Sequence, residues 1–303
     1  MHQLAEIGGH VKRVLVAHKK SKYEMFVDDG NQAALDLVKK NDPSVASVLE
    51  SHSRHIASLE AVLKVLKDRG IAHDVFSRSD VHSSEGYDLV VAVGGDGTVL
   101  DLSHRIGETP ILAINSDPVK SVGYFCAASS DEFGALLSRV TDDHWQPSRL
   151  MRFNVAVNGV EFPWPILNDI LVSHANPAAV TSVLMQVGEG EAEAQRSSGI
   201  WISTPAGSTA AIRSAGGYVM PLESRALQYL VREPCPPVVG AYRHVKGIRR
   251  MDERFAVTSR MDEGMIYLDG PHVTLPFLLG DVLTLDDSAP DLCLFGIEHK
   301  ERG

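Results

Sequence analysis

Apolar positions along this chain follow one period in its first half and another in its second. Residues 11–17 read as a buried strand centred on Leu15 and Val16, whereas residues 19–41 are polar and show no dominant period. From Ser44 onward, Val45, Val48, Leu49, His52, Ile56, Leu59, Leu63 and Leu66 recur at three- and four-residue steps. That spacing predicts an amphipathic helix ending near Gly70. Strands are then expected at residues 71–76, 87–93 and 110–115, with helices at 99–106 and 131–139. Strands alternating with helices predict a parallel, helix-covered sheet for residues 1–145. In such sheets ligands bind beyond the carboxyl ends of the strands.

The period becomes two after Trp145-Gln146-Pro147-Ser148. Phe153, Val155 and Val157 alternate with polar or small residues up to Asn158-Gly159, and Val160 and Phe162 follow, which predicts a hairpin. Short apolar runs at 166–172, 182–187, 200–203, 255–259, 265–268, 282–285 and 292–297 extend the β pattern. Residues 189–195, rich in Glu, Gly and Ala, read as a mobile loop or hairpin tip. The expected fold is an α/β N-terminal domain with a parallel sheet, residues 1–145, followed by a mostly β C-terminal domain, residues 146–289. Residues 290–303 are expected to pack back on the first domain.

Composition narrows the partners. With 303 residues, 44% of them hydrophobic, the chain can bury one large core or two. No apolar run approaches the roughly 20 residues of a membrane helix, and the N-terminus has no signal or transit pattern, so a cytoplasmic protein is expected. Cys126, Cys235 and Cys293 are odd in number and lack metal-ligand spacing, which predicts reduced thiols in or near a core. The net charge of −10 argues against nucleic acid as a partner. It leaves room for a small anion held by backbone amides, a few basic side chains and Mg²⁺. No metal-ligating residues stand out: His52 and His55 lack a third ligand and read as solvated helix residues. Arg243, His244, Lys246, Arg249 and Arg250 read as a solvated basic loop, with an ATP-phosphate or subunit contact as the competing reading.

Three stretches carry chemistry. In Gly94-Gly95-Asp96-Gly97-Thr98 a strand breaks into three glycines around one acid, then a helix opens. Glycine permits left-handed dihedrals and close approach of N–H groups to a ligand, and the helix N-terminus favours a phosphate. Thr98 and Asp101 have the spacing of a capping box, so a plain helix start is the bland alternative. Ser203-Thr204-Pro205-Ala206-Gly207-Ser208-Thr209-Ala210-Ala211 is a second strand, turn and helix start, able to cradle a ribose or phosphate. Asn168-Asp169 is a polar pair inside an apolar strand, where each group needs a partner or costs roughly 1–3 kcal/mol. A structural polar network competes with a ligand site there.

Together these stretches resemble the NAD kinase family. Gly94-Gly95-Asp96-Gly97-Thr98 matches its Gly-Gly-Asp-Gly-Thr motif, Leu167-Asn168-Asp169-Ile170 is similar to its Asn-Glu/Asp motif, and Thr204-Pro205-Ala206-Gly207-Ser208-Thr209-Ala210 to its Thr-Pro-Thr-Gly-Ser-Thr-Ala motif. Order and spacing agree over residues 87–237. The resemblance implies a two-domain fold and transfer of the ATP γ-phosphoryl group to the adenosine-ribose 2′-hydroxyl of NAD or NADH. It implies Asp96 as general base, Gly94, Gly95, Gly97 and Thr98 against the ATP phosphates, and an NAD(H) pocket made by Asn168, Asp169, Tyr124, Arg196, Ser198, Thr209, Ala210 and Ser214. ATP with Mg²⁺, small nucleotides as partners, and a homodimer or dimer of dimers that can complete the pocket across subunits belong to the same implication.

Ala211 and Ser198 stand where the common bacterial pattern has Tyr and Asp, and Asn115-Ser116-Asp117-Pro118 replaces its Asn-x-Gly stretch. These segments, with Arg196-Ser197-Ser198-Gly199 and Leu227-Gln228-Tyr229-Leu230-Val231-Arg232-Glu233-Pro234, look like the plant NADH kinase and mitochondrial-type NAD kinase branch. Two other readings compete. A lipid kinase of the diacylglycerol or sphingoid type shares the glycine loop, and a non-catalytic NADP-binding sensor would retain the pocket without turnover.

Overall fold

The computed structural model describes residues 11–142, 145–237 and 240–299. They group into two compact units, one running to Ser148 and taking in the segment from Cys293, the other spanning Arg149–Leu292.

The first unit is built on a sheet with neighbours in the order Ala72–Ser77, Arg13–His18, Leu89–Gly94, Ile111–Asn115 and Leu292–Phe295, paired in parallel. Leu89–Gly94 and Ile111–Asn115 are buried throughout, as continuous apolar runs in a parallel sheet should be. The long helix is Ala46–Asp68; its Val62 and Leu66 pack with Val14, Val91, Leu112 and Phe133 in one core. The remaining helix of that core is Phe133–Thr141.

Residues 19–41 fold as two short helices, Lys22–Asp28 and Gln32–Lys39. Their signal is in the caps rather than the period: the Ser21 hydroxyl accepts the Glu24 N–H and the Glu24 carboxylate accepts the Ser21 N–H. His52 and His55 part company. His52 is partly exposed, but His55 is fully buried and not a solvated residue, because its position on the helix faces the sheet.

The second unit holds two six-stranded sheets with antiparallel pairings, around a core that includes Val155, Ile170, Ile202, Tyr229, Val257 and Ile266. The predicted hairpin forms, with Val157 opposite Val160 and both Asn158 (φ 54°) and Gly159 (φ 75°) left-handed. Three strands have no clear period-two signal, Ala226–Arg232, Lys246–Arg250 and Val273–Pro276. The first is buried along nearly its whole length, so it does not alternate. The second carries most of the basic cluster, which is therefore largely an edge strand and not a loop; Lys246, Ile248 and Arg250 lie on its exposed face, Gly247 and Arg249 on the other. The strand Glu193–Ser197 begins inside the expected loop, pairing with Thr181–Val187. Cys126 and Cys293 are buried and Cys235 is half-buried.

Candidate functional site

The glycine loop leaves the buried strand Leu89–Gly94 and enters the helix Asp96–Ser103, with Gly95 as N-cap. None of Gly94, Gly95 and Gly97 adopts a left-handed dihedral, so conformational freedom is not why they are glycines. Space is the reason for the first two. A Cβ on Gly94 would lie 2.1 Å from Thr98 Oγ1, and one on Gly95 2.6 Å from Ser121 Oγ. The helix starts three residues before the apolar period suggests, and no side chain caps it. Thr98 and Asp101 make no capping box. Thr98 Oγ1 is buried without a hydrogen-bond partner among the described residues, and Asp101 is shared by Arg78 and Arg105.

Asp96 is the first residue of that helix. Its Oδ1 accepts the Phe125 N–H at 2.7 Å, and Tyr124 stands edge-on to the Phe125 ring at 5.5 Å. The segment 115–125 thus binds the loop at both ends: the Ser116 N–H donates to the Gly94 carbonyl (2.8 Å) and the Phe125 N–H to Asp96. Its own turn is fixed by Asn115, which donates to the Ser121 carbonyl and accepts the Asp117 N–H. Gly123 is needed in both senses, with φ +61° and the Asn115 amide 2.3 Å from where its Cβ would lie.

The long helix pins this segment from behind. Ser51 Oγ and Arg54 Nε donate to the two oxygens of Asp117, at 2.5 and 2.6 Å, and His55 Nδ1 meets Ser116 Oγ at 2.9 Å. Asp117 is 1% exposed. Burial works to raise its pKa, but hydrogen bonds from Arg54 and Ser51 outweigh it and hold the carboxyl below its usual value. Burial, with Lys19 and His18 nearby, lowers the His55 pKa to about 4, so the ring is neutral at ordinary pH. None of this clamp shows in sequence periodicity, because Ser51, Arg54 and His55 meet residues more than 60 positions away.

In the second unit Asn168 and Asp169 lie at the start of the strand Asp169–His174, and Asn168 Nδ2 donates to Asp169 Oδ2 at 3.3 Å. Asp269 closes the turn around them: its carboxylate accepts the N–H groups of Leu167, Asn168 and Asp169 at 2.9, 2.7 and 3.1 Å. Asp269 is left-handed (φ 49°) in Asp269-Gly270-Pro271, a turn signal visible in the sequence but not singled out there. Burial, reinforced by the neighbouring Asp269 charge, pushes the Asp169 pKa up to about 7. Asp169 also borders an apolar depression of ≈ 300 Å³ with Leu171, Trp201, Tyr267, Gly270 and Pro271.

The Thr204–Ala210 turn is stitched onto the same end of the sheet. Thr204 Oγ1 donates to the Leu167 carbonyl (2.5 Å) and accepts the Gly207 N–H (3.1 Å). Gly207 sits so close that a Cβ would fall 1.9 Å from the Asn168 carbonyl oxygen. Thr209 and Ala210 end a short 3₁₀ turn, Ala206–Thr209, and Ser214 closes the following helical turn, Ala211–Ser214, exposed. Thus Asn168, Asp169, Thr209 and Ala210 belong to one end of this unit.

Ser198 does not, and Arg196 lies two residues before it on the strand Glu193–Ser197 of the other sheet. Ser203 is opposite Asp169 and Ile200 opposite Val172, so Ser198 lies five residues, roughly 16 Å, along the strand direction from Ser203. There it borders a different cavity of ≈ 280 Å³ with Ser173, His174, Thr181, Arg232 and Tyr267.

Residues 2–145 match the family model described as the ATP-NAD kinase N-terminal domain. Over 278 residues the chain is 36% identical to a probable NADH kinase of rice, Oryza sativa, covering 84% of this chain and 86% of that protein. It is 34% identical over 287 residues to the NADH kinase of Arabidopsis thaliana, covering 84% and 87%. The chain belongs to the NAD kinase family. Solved structures agree on its fold: an NAD kinase from Archaeoglobus fulgidus in complex with ATP has a TM-score of 0.66 at 21% identity, covering 93% of each chain. Yeast NADH kinase complexed with NADH also has a TM-score of 0.66, at 17% identity, covering 97% of this chain and 84% of that one.

Among the described residues no three His, Cys, Asp or Glu converge in a way that could hold a metal. No described helix is long and apolar enough to cross a membrane.

Proposed function

We propose that this protein is an NAD(H) kinase in which Asp96 takes the proton from the adenosine-ribose 2′-hydroxyl of NAD or NADH as the ATP γ-phosphoryl group is transferred. The observation that carries this reading is the family membership over 84% of the chain, with plant NADH kinases among the relatives. It also supports a kinase of NAD(H) over a lipid kinase or a silent NADP sensor. The 2′-oxygen forms a bond to the γ-phosphorus, the bond from that phosphorus to the β–γ bridging oxygen breaks, and ADP leaves. A ribose hydroxyl is a poor nucleophile, so a positioned carboxylate to accept its proton contributes roughly 10²–10⁴ in rate.

The chain's other residues position and neutralise. Gly94, Gly95, Gly97 and Thr98 place backbone amides at a helix N-terminus, which suits the ATP phosphates. Asn168 and Asp169 supply an amide and a carboxylate for ribose hydroxyls, with Thr209, Ala210, Ser214 and Tyr124 completing the acceptor pocket. Mg²⁺ accompanying ATP would supply charge neutralisation for the transferring group. Arg196 and Ser198 are assigned to the acceptor by the family resemblance, and the same resemblance supports a homodimer or dimer of dimers as the working assembly, in the cytoplasm. Product analysis with NAD and NADH in parallel, using ATP and Mg²⁺, tests reaction class and acceptor together. Formation of neither NADP nor NADPH would reject the reading.

A further inference from the structure

Lys19 follows the first strand of the parallel sheet and comes level with the glycine loop, its N–H donating to the carbonyl of Val93, the residue before Gly94 (3.3 Å). Its side chain is half-buried, yet among the described residues its ammonium has no hydrogen bond or ion pair. Burial lowers its pKa; Asp117 partly offsets this, and the nearby Arg78 guanidinium adds to the lowering. Asp117 is already engaged by Ser51 and Arg54. Arg78 in turn lies against the loop, Nη1 3.6 Å from where a Cβ of Gly97 would stand, and it shares the Asp101 carboxylate with Arg105.

Two cations close enough to repel, one without a carboxylate of its own, cost free energy when partly removed from water. An anion at the loop removes that cost. Lysine suits it as a point charge and arginine as a planar fork, and the adjacent loop amides favour the same sign of ligand.

We propose that Lys19 and Arg78 form a cationic clamp for the terminal phosphates of the phosphoryl donor, a nucleoside triphosphate or an inorganic polyphosphate, at the glycine loop. The identity of the donor rests on the NAD(H) kinase reading; the anion site itself does not. Lysine and arginine held there counter the charge on the transferring group, a binding role distinct from the proton transfer given to Asp96.

The test is calorimetric titration of wild type, Lys19→Gln, Arg78→Gln and the double variant with ATP plus Mg²⁺, inorganic tripolyphosphate, and NADH. Each single substitution should weaken ATP or tripolyphosphate binding by about tenfold or more, as expected for a lost contact to a charged group, and leave NADH within about twofold. Binding of ATP alone, or of both anions, tells the two donor sources apart. Anion affinities equal to wild type in the double variant overturn the clamp. Should the variants fail to fold, acetylation of Lys19 in the wild type provides the measurement: ATP or tripolyphosphate should slow it, and unchanged labelling under saturating anion overturns the clamp. Wild-type turnover separates the two ideas. Lys19-dependent anion binding without NADP or NADPH formation would keep the clamp and reject the kinase; normal turnover with unaltered anion binding in the variants would do the reverse.

Discussion

Asp169 is a buried carboxyl whose titration should be readable in the stability of the whole protein. In the unfolded chain it ionises near 3.8, whereas burial beside Asp269 raises the native value to about 7. Between those values the native state holds a proton that the unfolded state has released, so stability falls as pH rises. The advantage is complete below pH 4 and lost as pH passes 7. From pH 5 to pH 7, at 1.36 kcal/mol per pH unit, the loss is roughly 3 kcal/mol, and little more is lost above it. Asp169→Asn keeps the shape and cannot ionise. Urea unfolding of both proteins at pH 5, 6, 7 and 8 should show the variant gaining roughly 3 kcal/mol on wild type across that range. A difference that stays constant with pH refutes the reasoning, because no other group is changed. The same ionisation has a functional side. Ribose hydroxyls donate to a carboxylate, so NADH should bind wild type more tightly as pH rises from 5.5 to 7.5, and the Asn variant should lose that trend. A site that keeps an acid at a cost in stability is a common exchange of stability for function.

Asp96→Asn should lower turnover by roughly 10²–10⁴ while leaving the melting temperature near wild type, since an amide oxygen can still accept the Phe125 N–H; near-normal turnover removes Asp96 as base. Gly207→Ala forces a methyl against the Asn168 carbonyl, 1.9 Å away, and should cost about 1–3 kcal/mol by denaturant unfolding. Steady-state kinetics should also show its KM for NAD(H) rising with that for ATP little changed; an equal rise in both would argue against an acceptor role for this turn. His55 titrates in the opposite sense to Asp169: its native pKa of about 4 lies below the ordinary 6.5, so its contribution is present above pH 6.5 and lost as pH falls toward 4. His55→Gln should remove roughly 3 kcal/mol of that acid-side loss, and identical acid unfolding curves would show that the ring is not the titrating group.

Much of this molecule was legible in one dimension. Continuous apolar runs such as 89–93 and 111–114 can only be buried on both faces, and the alternation around Asn158-Gly159 fixes a hairpin by its turn chemistry alone. The three motif stretches identified the family because glycines, hydroxyls and acids at fixed local spacing are read along the chain. Elements without a period were missed for the same reason: the strand Ala226–Arg232 is buried on both sides, and the helices within residues 19–41 announce themselves only through caps. Expectations for isolated residues failed where the partner is distant, as with His55, which is solvated by local pattern and buried by the sheet beneath it.

The sequence by itself determined which stretches carry chemistry and which kind of fold presents them, because those depend on local backbone freedom and on the period of burial. Tertiary structure alone decided what each charged group is worth. Asp117 becomes a locked anchor because Ser51 and Arg54 reach it from the long helix, and Asp169 becomes a proton carrier near neutrality because Asp269 and an apolar surround meet it there. Ser198, grouped with the acceptor residues by resemblance, is set roughly 16 Å along the strand direction from Ser203, which lies opposite Asp169. Glycines 94 and 95, which suggest an unusual backbone when read in sequence, take no left-handed dihedral; a Cβ on Gly95 would instead meet Ser121, a neighbour that only the fold brings to the loop, because packing, unlike dihedral preference, depends on residues distant in sequence.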